Sequence, residues 1–204
     1  MLFTEGTPSK KETLIFSELL LGACEDAASA HLRTLIETRF KLPDGSYSLD
    51  RIVSLGNLVA ESWSRLTKTD WALLNFLKKI AAKPDGPKII LVRGDREKAE
   101  ESDPLSQLGT LMGATVTDTH EWKVGDKECL AVYGHLFRGG QEEILQYASE
   151  KKKDCVFFAS RYNTSHLLAG ALPSLACAVG PFRDDLDLIY LMVNSKGLVE
   201  LSTV

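Results

Sequence analysis

The apolar run Lys88–Val92 constrains the fold more than any other segment of this chain. Successive side chains of a strand point to opposite faces of its sheet. Because the four residues after Lys88 are all apolar, a strand here presents apolar side chains on both faces, which is typical of sheets that are covered on both sides. The sequence therefore predicts an α/β protein in which other elements lie against each face of this strand.

The residues before this run complete a strand, helix, strand unit. Residues 51–55 predict a strand that ends where the chain must turn, at Gly56-Asn57. Asp70 is a suitable N-cap, and the apolar spacing after it predicts a helix that ends at the turn Pro84-Asp85-Gly86-Pro87. Together with the run at 88–92, these segments form a βαβ unit.

Two earlier segments extend the pattern. Residues 13–21 suit either a buried strand or a helical turn, because their apolar side chains fit both. From Asp26 onward, apolar residues recur at helical spacing as far as Phe40, and Leu42-Pro43-Asp44-Gly45 supplies a stop. We expect residues 1–12 to form an N-terminal extension and residues 13–204 to form a single domain, since the length fits one core better than two.

In the second half of the chain, paired apolar segments around glycine turns predict hairpins. Residues 122–124 and 128–132 flank a glycine turn, and residues 187–193 and 198–201 flank a second turn around Gly197. Between the hairpins, the pattern predicts a helix at residues 141–150 and a buried strand at residues 155–158. Parallel units followed by hairpins indicate two mixed β-sheets that pack face to face, with helices outside.

Composition narrows the classes of function. The formal net charge is -4, so no global basic field is available to hold a nucleic acid or an anionic membrane. The basic run Lys151-Lys152-Lys153 fits the end of a helix better, where it complements the helix dipole. The four cysteines form no C-x-x-C pair, which disfavours zinc and a disulfide framework. No apolar run approaches the roughly 20 residues that span a bilayer, so we expect a soluble intracellular protein.

Polar residues follow the predicted strands at the positions where α/β sheets bind ligands. In open α/β sheets, ligands bind beyond the carboxyl ends of the strands. The segments at these positions are Ser17-Glu18-Leu19-Leu20, Gly56-Asn57-Leu58-Val59, Arg93-Gly94-Asp95-Arg96-Glu97, Tyr133-Gly134-His135 and Ala159-Ser160-Arg161-Tyr162.

This series resembles the calcineurin-like metallophosphoesterase family, whose strand ends carry D-x-H, G-D or G-N, G-N-H-D or G-D, H-G-H and G-H-x-H in that order. The resemblance is closest to the small, Vps29-type subunits of retromer, which combine G-N-L, V-R-G-D and G-H. The corresponding segments here are Gly56-Asn57-Leu58, Val92-Arg93-Gly94-Asp95 and Gly134-His135. The resemblance covers about residues 13–204 and implies a four-layer α/β sandwich of two mixed sheets flanked by helices.

The resemblance also implies where the two metal ions of the family would lie and shows that most ligands are replaced. The aspartate and histidine of the first motif fall on Glu18 and Leu20, and a histidine of the fourth falls on Tyr133. The bridging position falls on Asn57, and Asp95 keeps a carboxylate. The histidines of the fifth motif fall on Ser160 or Arg161 and on Tyr162, and His135 follows the ligand position of the fourth motif. The resulting degenerate pocket consists of Glu18, Leu20, Asn57, Asp95, Tyr133, His135, Arg161 and Tyr162.

We therefore predict a non-catalytic scaffold or adaptor subunit of a larger protein complex, with no metal or cofactor. Its partners would be proteins, in retromer-type trafficking or in an organellar assembly, and it would reach a membrane only through them. The protein would lie in the cytoplasm or at endosomes, with an organellar matrix as the alternative. The alternative function is a weak metal-dependent phosphoesterase whose rearranged ligands are Glu18, Asn57, Asp95, His135 and His166. A nucleotide-binding protein is disfavoured because no phosphate-binding glycine loop follows a strand.

Overall fold

The computed structural model describes residues 12–23, 27–60, 63–95, 97, 103–133, 141–159, 166–169, 175–179 and 189–203. The strands are Glu12–Ser17 (β1), Leu49–Leu55 (β2), Lys88–Val92 (β3), Thr115–Thr117 (β4), Thr119–Val124 (β5), Lys127–Val132 (β6), Cys155–Ala159 (β7), His166–Ala169 (β8), Leu175–Val179 (β9), Ile189–Val193 (β10) and Val199–Thr203 (β11). The helices are Ala27–Leu35 (α1), Lys68–Ala81 (α2), Pro104–Met112 (α3) and Gln141–Glu150 (α4), with a π-helical turn at Ile36–Phe40 and a 3₁₀ turn at Trp63–Arg65.

The strands form two mixed sheets, as the sequence predicts. The first sheet has the order β11-β10-β1-β2-β3-β4. Strands β1 to β4 are parallel, β10 is antiparallel to β1, and β11 is antiparallel to β10. The second sheet has the order β5-β6-β7-β9-β8, in which β6, β7 and β9 are parallel. Because β1, β2 and β3 are parallel neighbours, their carboxyl ends meet at one edge of the first sheet.

Buried apolar side chains form three groups, and these groups define four layers. One group lies between the first sheet and helices α1, α2 and α3, a second lies between the two sheets, and a third joins the second sheet to α4. Strand β3 contributes Ile89 and Leu91 to the first group and Ile90 and Val92 to the second. The run at 88–92 is apolar throughout because each of its faces contacts a different part of the core.

Helix α2 begins three residues before the predicted start. The N-cap is Thr67, whose hydroxyl accepts a hydrogen bond from the Asp70 amide at 3.1 Å. Asp70, predicted as the N-cap, is instead the third helical residue, and its carboxylate accepts from the Thr67 amide at 3.0 Å to complete a capping box. The same buried carboxylate accepts from the Gly22 amide at 3.1 Å and from the Ser29 hydroxyl. Asp70 therefore joins the segment after β1 and helix α1 to the start of α2.

Other differences from the prediction are local. Residues 13–21, for which the sequence allowed either a strand or a helical turn, contain most of strand β1. The helix predicted through Phe40 is α-helical only as far as Leu35 and continues as a π-helical turn. The basic run Lys151-Lys152-Lys153 directly follows α4, where it was predicted. Its last member, Lys153, is buried, with its Nζ 2.6 Å from Glu121 Oε2. Helix α3 and strands β4, β8 and β9 were not predicted.

The cysteines of the described residues behave as small apolar side chains. Cys129, Cys155 and Cys177 are free and buried, and they lie on the neighbouring strands β6, β7 and β9. Cys24 lies outside the described residues. No helix in the described part of the chain is long and apolar enough to cross a membrane.

Candidate functional site

Four of the predicted pocket residues meet at one point, the hydroxyl of Tyr133. Asn57 donates a hydrogen bond from Nδ2 to this hydroxyl at 2.8 Å. The hydroxyl oxygen lies 3.1 Å from Glu18 Oε1 and 3.3 Å from Asp95 Oδ1. A phenol carries one proton and therefore donates to one of these carboxylates at a time. Tyr133 follows β6 in the second sheet, so this contact also joins the two sheets at their edge.

The backbone around the pocket adopts conformations that are unusual for side-chain-bearing residues. Glu18, Leu20 and Asn57 have φ values of 49°, 54° and 43°, which place all three in the left-handed region. The segments are held together by hydrogen bonds from the Glu18 amide to the Gly56 carbonyl and from the Leu20 amide to the Asn57 carbonyl, both 3.2 Å long. Such conformations cost about 1–3 kcal/mol each and cluster at functional sites. The segment after β1 is therefore fixed against the segment after β2.

Two glycines allow these segments to approach one another. A Cβ atom on Gly56 would lie 2.2 Å from Cδ2 of Tyr133, and Gly56 has a φ of +70°. A Cβ atom on Gly94 would lie 2.3 Å from Oδ1 of Asn57. Both distances are far below van der Waals contact, so the tyrosine ring and the asparagine side chain reach their positions only because these residues are glycines.

Glu97 holds the backbone segments of the pocket together through hydrogen bonds to their amides. Its buried carboxylate accepts hydrogen bonds from the amides of Asn57 at 3.1 Å, Leu58 at 2.5 Å, Val59 at 3.4 Å and Gly94 at 2.7 Å. Burial raises the pKa of Glu97, and the four amide hydrogen bonds oppose that rise without overcoming it. Sequence reasoning placed Glu97 after β3 but gave it no role. The available signal was the G-N-H-D form of the family motif, which ends in an acidic residue at this position.

The charge distribution keeps Tyr133 protonated. Burial raises the pKa of Tyr133 far above its usual range, and the carboxylates of Glu18 and Asp95 raise it further. Asp95 is exposed and Glu18 is half-buried, so water reaches both carboxylates. The phenol is therefore a neutral hydrogen-bond donor between two acidic groups, because a tyrosinate at this position would be repelled by both.

The described residues do not fit a two-metal centre. The Tyr133 hydroxyl lies 2.8–3.3 Å from an atom of each of Glu18, Asn57 and Asp95, so a cation shared by these three side chains would compete with the hydroxyl for the same atoms. In the part of the chain that the structure describes, no group of three or more His, Cys, Asp and Glu side chains is arranged to hold a metal. Borderline-soft metals also prefer imidazole, which this set lacks.

The remaining predicted residues are placed only in part. Leu20 is half-buried beside Asn57, with its amide bonded to the Asn57 carbonyl at 3.2 Å. His135, Ser160, Arg161 and Tyr162 lie outside the described residues, and His166 is the first residue of β8. Of the other histidines, His31 is exposed on α1, and His120 lies in β5 with its ring stacked on Trp122.

The fold is a metallophosphoesterase-like α/β sandwich, similar to that of Vps29. An archaeal phosphodiesterase superposes with a TM-score of 0.61 at 12% sequence identity, over 95% of this chain and 99% of that one. Vps29 from Chaetomium thermophilum gives 0.58 at 10% identity, over 95% and 97% of the two chains. Zinc-bound Vps29 from Entamoeba histolytica gives 0.51 at 13%, over 95% and 98%. At these identities the likeness concerns the fold. No protein-family model and no curated protein matches the sequence.

Proposed function

We propose that this chain is a non-catalytic, protein-binding subunit of a larger complex, built on a metallophosphoesterase-like domain that comprises residues 13–204. The observation that carries the proposal is the position of the Tyr133 hydroxyl, which bonds to Asn57 and lies within 3.3 Å of both Glu18 and Asp95. Three groups that would otherwise face a cation instead face a phenol. The scaffold is thus retained while the chemistry of its pocket is altered.

A neutral phenol changes what the pocket can bind. A bound divalent cation would balance the negative charges of Glu18 and Asp95, whereas a hydrogen bond from Tyr133 offsets only part of one of them. To ligate a metal strongly, Tyr133 would need to lose its proton, which burial and both carboxylates oppose. The proposed settings are retromer-type trafficking, by resemblance to the Vps29-type subunits, and an organellar assembly. In either case membrane contact would be indirect, through partner proteins.

A second candidate is a weak metal-dependent phosphoesterase. The observation that favours it is the pair of carboxylates, since Glu18 and Asp95 approach the same hydroxyl oxygen at 3.1 and 3.3 Å. Movement of the Tyr133 ring out of this space would let the carboxylates face a metal. Proteins of similar fold include a phosphodiesterase and a zinc-bound Vps29, and this likeness supports the second candidate.

Metal content and hydrolysis distinguish the two functions. Protein dialysed against manganese and then against buffer would be analysed by elemental mass spectrometry and assayed with p-nitrophenyl phosphate and bis-p-nitrophenyl phosphate. We expect no stoichiometric manganese and no turnover above buffer. Tyr133→Phe is the matched variant, because it keeps the ring and removes only the hydroxyl, and we expect it to remain inactive. Stoichiometric metal together with turnover that Asp95→Ala abolishes would refute the proposal.

Purification from the native source tests the protein-binding part. A stable complex that co-purifies and survives gel filtration is the expected result. A monodisperse free chain with about two metal ions bound would contradict it and would favour the hydrolase.

A further inference from the structure

Helices α1 and α2 border an open groove of about 570 Å³ on the face of the first sheet that points away from the second sheet. One wall carries Arg33 of α1, Glu37 of the π-helical turn, and Lys41. The other wall is formed by α2 and includes Phe76 and Lys79. The groove lies on the helical layer, whereas the Tyr133 pocket lies at the carboxyl edge of the strands.

The floor of the groove is aromatic. Tyr47 and Phe76 contact each other edge to face, with ring centroids 6.2 Å apart. The Arg33 guanidinium lies 5.5 Å from the centre of the Phe76 ring, and the Lys83 ammonium lies 5.2 Å from that of Tyr47. Tyr47 is 6% exposed and Phe76 is half-buried, so the aromatic surface open to a third group belongs mainly to Phe76. The floor therefore suits one apolar side chain.

The rim of the groove is basic, although the whole chain carries a net charge of -4. Arg33, Lys41, Lys79 and Lys83 line it against a single carboxylate, that of Glu37. That carboxylate pairs with Arg33 at 3.4 Å. Lys41 and Lys79 are exposed, and neither has an ion pair with any residue that the structure describes.

Two other acidic residues, Asp44 and Asp85, line the adjoining cavity but not the groove itself. The Asp44 carboxylate already accepts hydrogen bonds from the Ser46 amide at 2.8 Å and from its hydroxyl at 2.6 Å. Asp85 lines the adjoining cavity with Lys83 and does not line the groove. Lys83 donates one hydrogen bond to the Gly45 carbonyl at 2.7 Å, whereas the exposed ammonium groups of Lys41 and Lys79 have no such contact among the described residues.

We propose that this groove binds a short acidic segment of a partner protein, with one apolar side chain seated on Tyr47 and Phe76 and flanking carboxylates paired with Lys41 and Lys79. Eight residues at the α-helical rise of about 1.5 Å would separate Arg33 from Lys41 by about 12 Å, and the π-helical turn Ile36–Phe40 makes this wall somewhat shorter. An extended peptide advances about 3.3 Å per residue, so about four residues fill the groove. This inference specifies one binding face of the subunit proposed above and rests on that function.

The test uses fluorescence polarisation with a fluorescein-labelled peptide of sequence Asp-Glu-Phe-Asp-Glu. Two control peptides separate the contributions, one with serine in place of phenylalanine and one with lysine at every acidic position. The protein variant is Lys41→Glu with Lys79→Glu. Its matched control is Lys78→Glu with Lys196→Glu, because Lys78 is exposed on the same helix, both control lysines lie outside the groove lining, and the net charge change is equal. Thermal melts confirm that both variants fold.

We expect saturable binding of the acidic phenylalanine peptide and about tenfold weaker binding of each control peptide. A tenfold difference in affinity corresponds to about 1.4 kcal/mol. The Lys41 and Lys79 reversal should weaken binding by about tenfold or more, while the control reversal stays within about twofold.

Equal binding of the phenylalanine and serine peptides, or unchanged binding by the groove variant, would overturn the proposal. Lysine-dependent binding to phosphatidylserine vesicles without peptide binding would also overturn it and would assign the groove to a membrane surface. Metal content and hydrolysis are measured separately, so failure of the groove leaves the proposed function standing.

Discussion

His120 provides a prediction whose size follows from its surroundings. It lies in β5, half-buried, with its ring centroid 5.4 Å from that of Trp122 in a stacked arrangement. Its Nε2 atom is buried and has no hydrogen-bond partner in the described structure. Burial lowers the pKa of His120 to about 4, with smaller contributions from the positive charges of Arg51 and Lys88, while Glu121 opposes the change. Protonation of His120 is therefore unfavourable in the folded protein.

The sign and size of the effect on stability follow from this lowered pKa. Above about pH 6.5 the imidazole is neutral in both the folded and the unfolded chain and does not make stability depend on pH. As the pH falls from 6.5 towards 4, the unfolded chain binds a proton that the folded protein excludes, so the free energy of unfolding decreases. One pKa unit is worth about 1.4 kcal/mol, which sets a limit of about 3 kcal/mol. Partial exposure of the ring screens the interaction, and we expect about 1–2 kcal/mol.

Urea unfolding at pH 7.5 and pH 4.5 measures this loss. His120→Phe keeps an aromatic ring on Trp122 and cannot be protonated, so it should lose about 1–2 kcal/mol less than the wild type on acidification. His31→Gln is the control, because His31 is exposed on α1 and its replacement should leave the acid loss unchanged. An equal acid loss in the wild type and His120→Phe would refute the reasoning. So would an NMR titration of His120 with a midpoint near 6.5.

Three further substitutions test the structure around the pocket and helix α2. Gly56→Ala should cost about 2–4 kcal/mol in thermal unfolding, because its Cβ would overlap the Tyr133 ring, whereas Gly45→Ala, with a φ of +78° and open space around its Cβ, should cost only about 1 kcal/mol. Equal losses would show that the ring yields to the new methyl group. Glu97→Gln should lower the free energy of unfolding in urea by about 1–3 kcal/mol, because an amide nitrogen would face backbone donors in place of a carboxylate oxygen. A loss below about 0.5 kcal/mol would mean that the pocket does not depend on this carboxylate. Thr67→Ala should reduce stability to urea by about 1 kcal/mol through loss of the N-cap, and an unchanged midpoint would place the helix start elsewhere.

The fold could be predicted where both the apolar pattern and the turn residues of the sequence were clear. The run at 88–92 indicated a sheet covered on both faces, and the glycine turns marked both hairpins, so the two mixed sheets are confirmed. Helix α3 was missed although Asp103 caps it, Pro104 begins it and Gly113 ends it. Those residues are typical helix boundaries, but the segment between them is only nine residues long.

The start of α2 shows a different limit of sequence reasoning. In a capping box, Thr67 and Asp70 each accept a hydrogen bond from the backbone amide of the other, so both residue types are consistent with an N-cap. Choosing Asp70 shifted the boundary by three residues. The π-helical turn after α1 carries no comparable signal, because an apolar period alone does not distinguish it from an α-helical turn.

Four of the eight predicted pocket residues lie together in the structure, but the sequence did not predict how they contact one another. The order of strand-end segments brought Glu18, Asn57, Asp95 and Tyr133 together before any coordinates were considered. That one hydroxyl contacts the other three depends on the distance between two sheets, which no local pattern encodes. The same holds for Glu97, whose carboxylate meets amides about 40 residues earlier in the chain. The roles of His135, Arg161 and Tyr162 remain predictions.

The charge left in the pocket decides how the two candidate functions can be separated. Glu18 and Asp95 keep two carboxylates near one phenol, and Asp95 is exposed to water. Such a pair can attract a single hard cation from its solvent side without displacing Tyr133, because oxygen ligands and water suffice for calcium or magnesium. Hydrolysis by the family mechanism requires two ions a few ångström apart. The Tyr133 hydroxyl lies 3.1 and 3.3 Å from the two carboxylates that would help to hold them. Weak binding of one cation is therefore compatible with a scaffold, whereas a pair of ions would compete with the Tyr133 hydroxyl for both carboxylates. The number of ions bound, rather than metal binding as such, therefore distinguishes a metal-dependent phosphoesterase from a non-catalytic subunit.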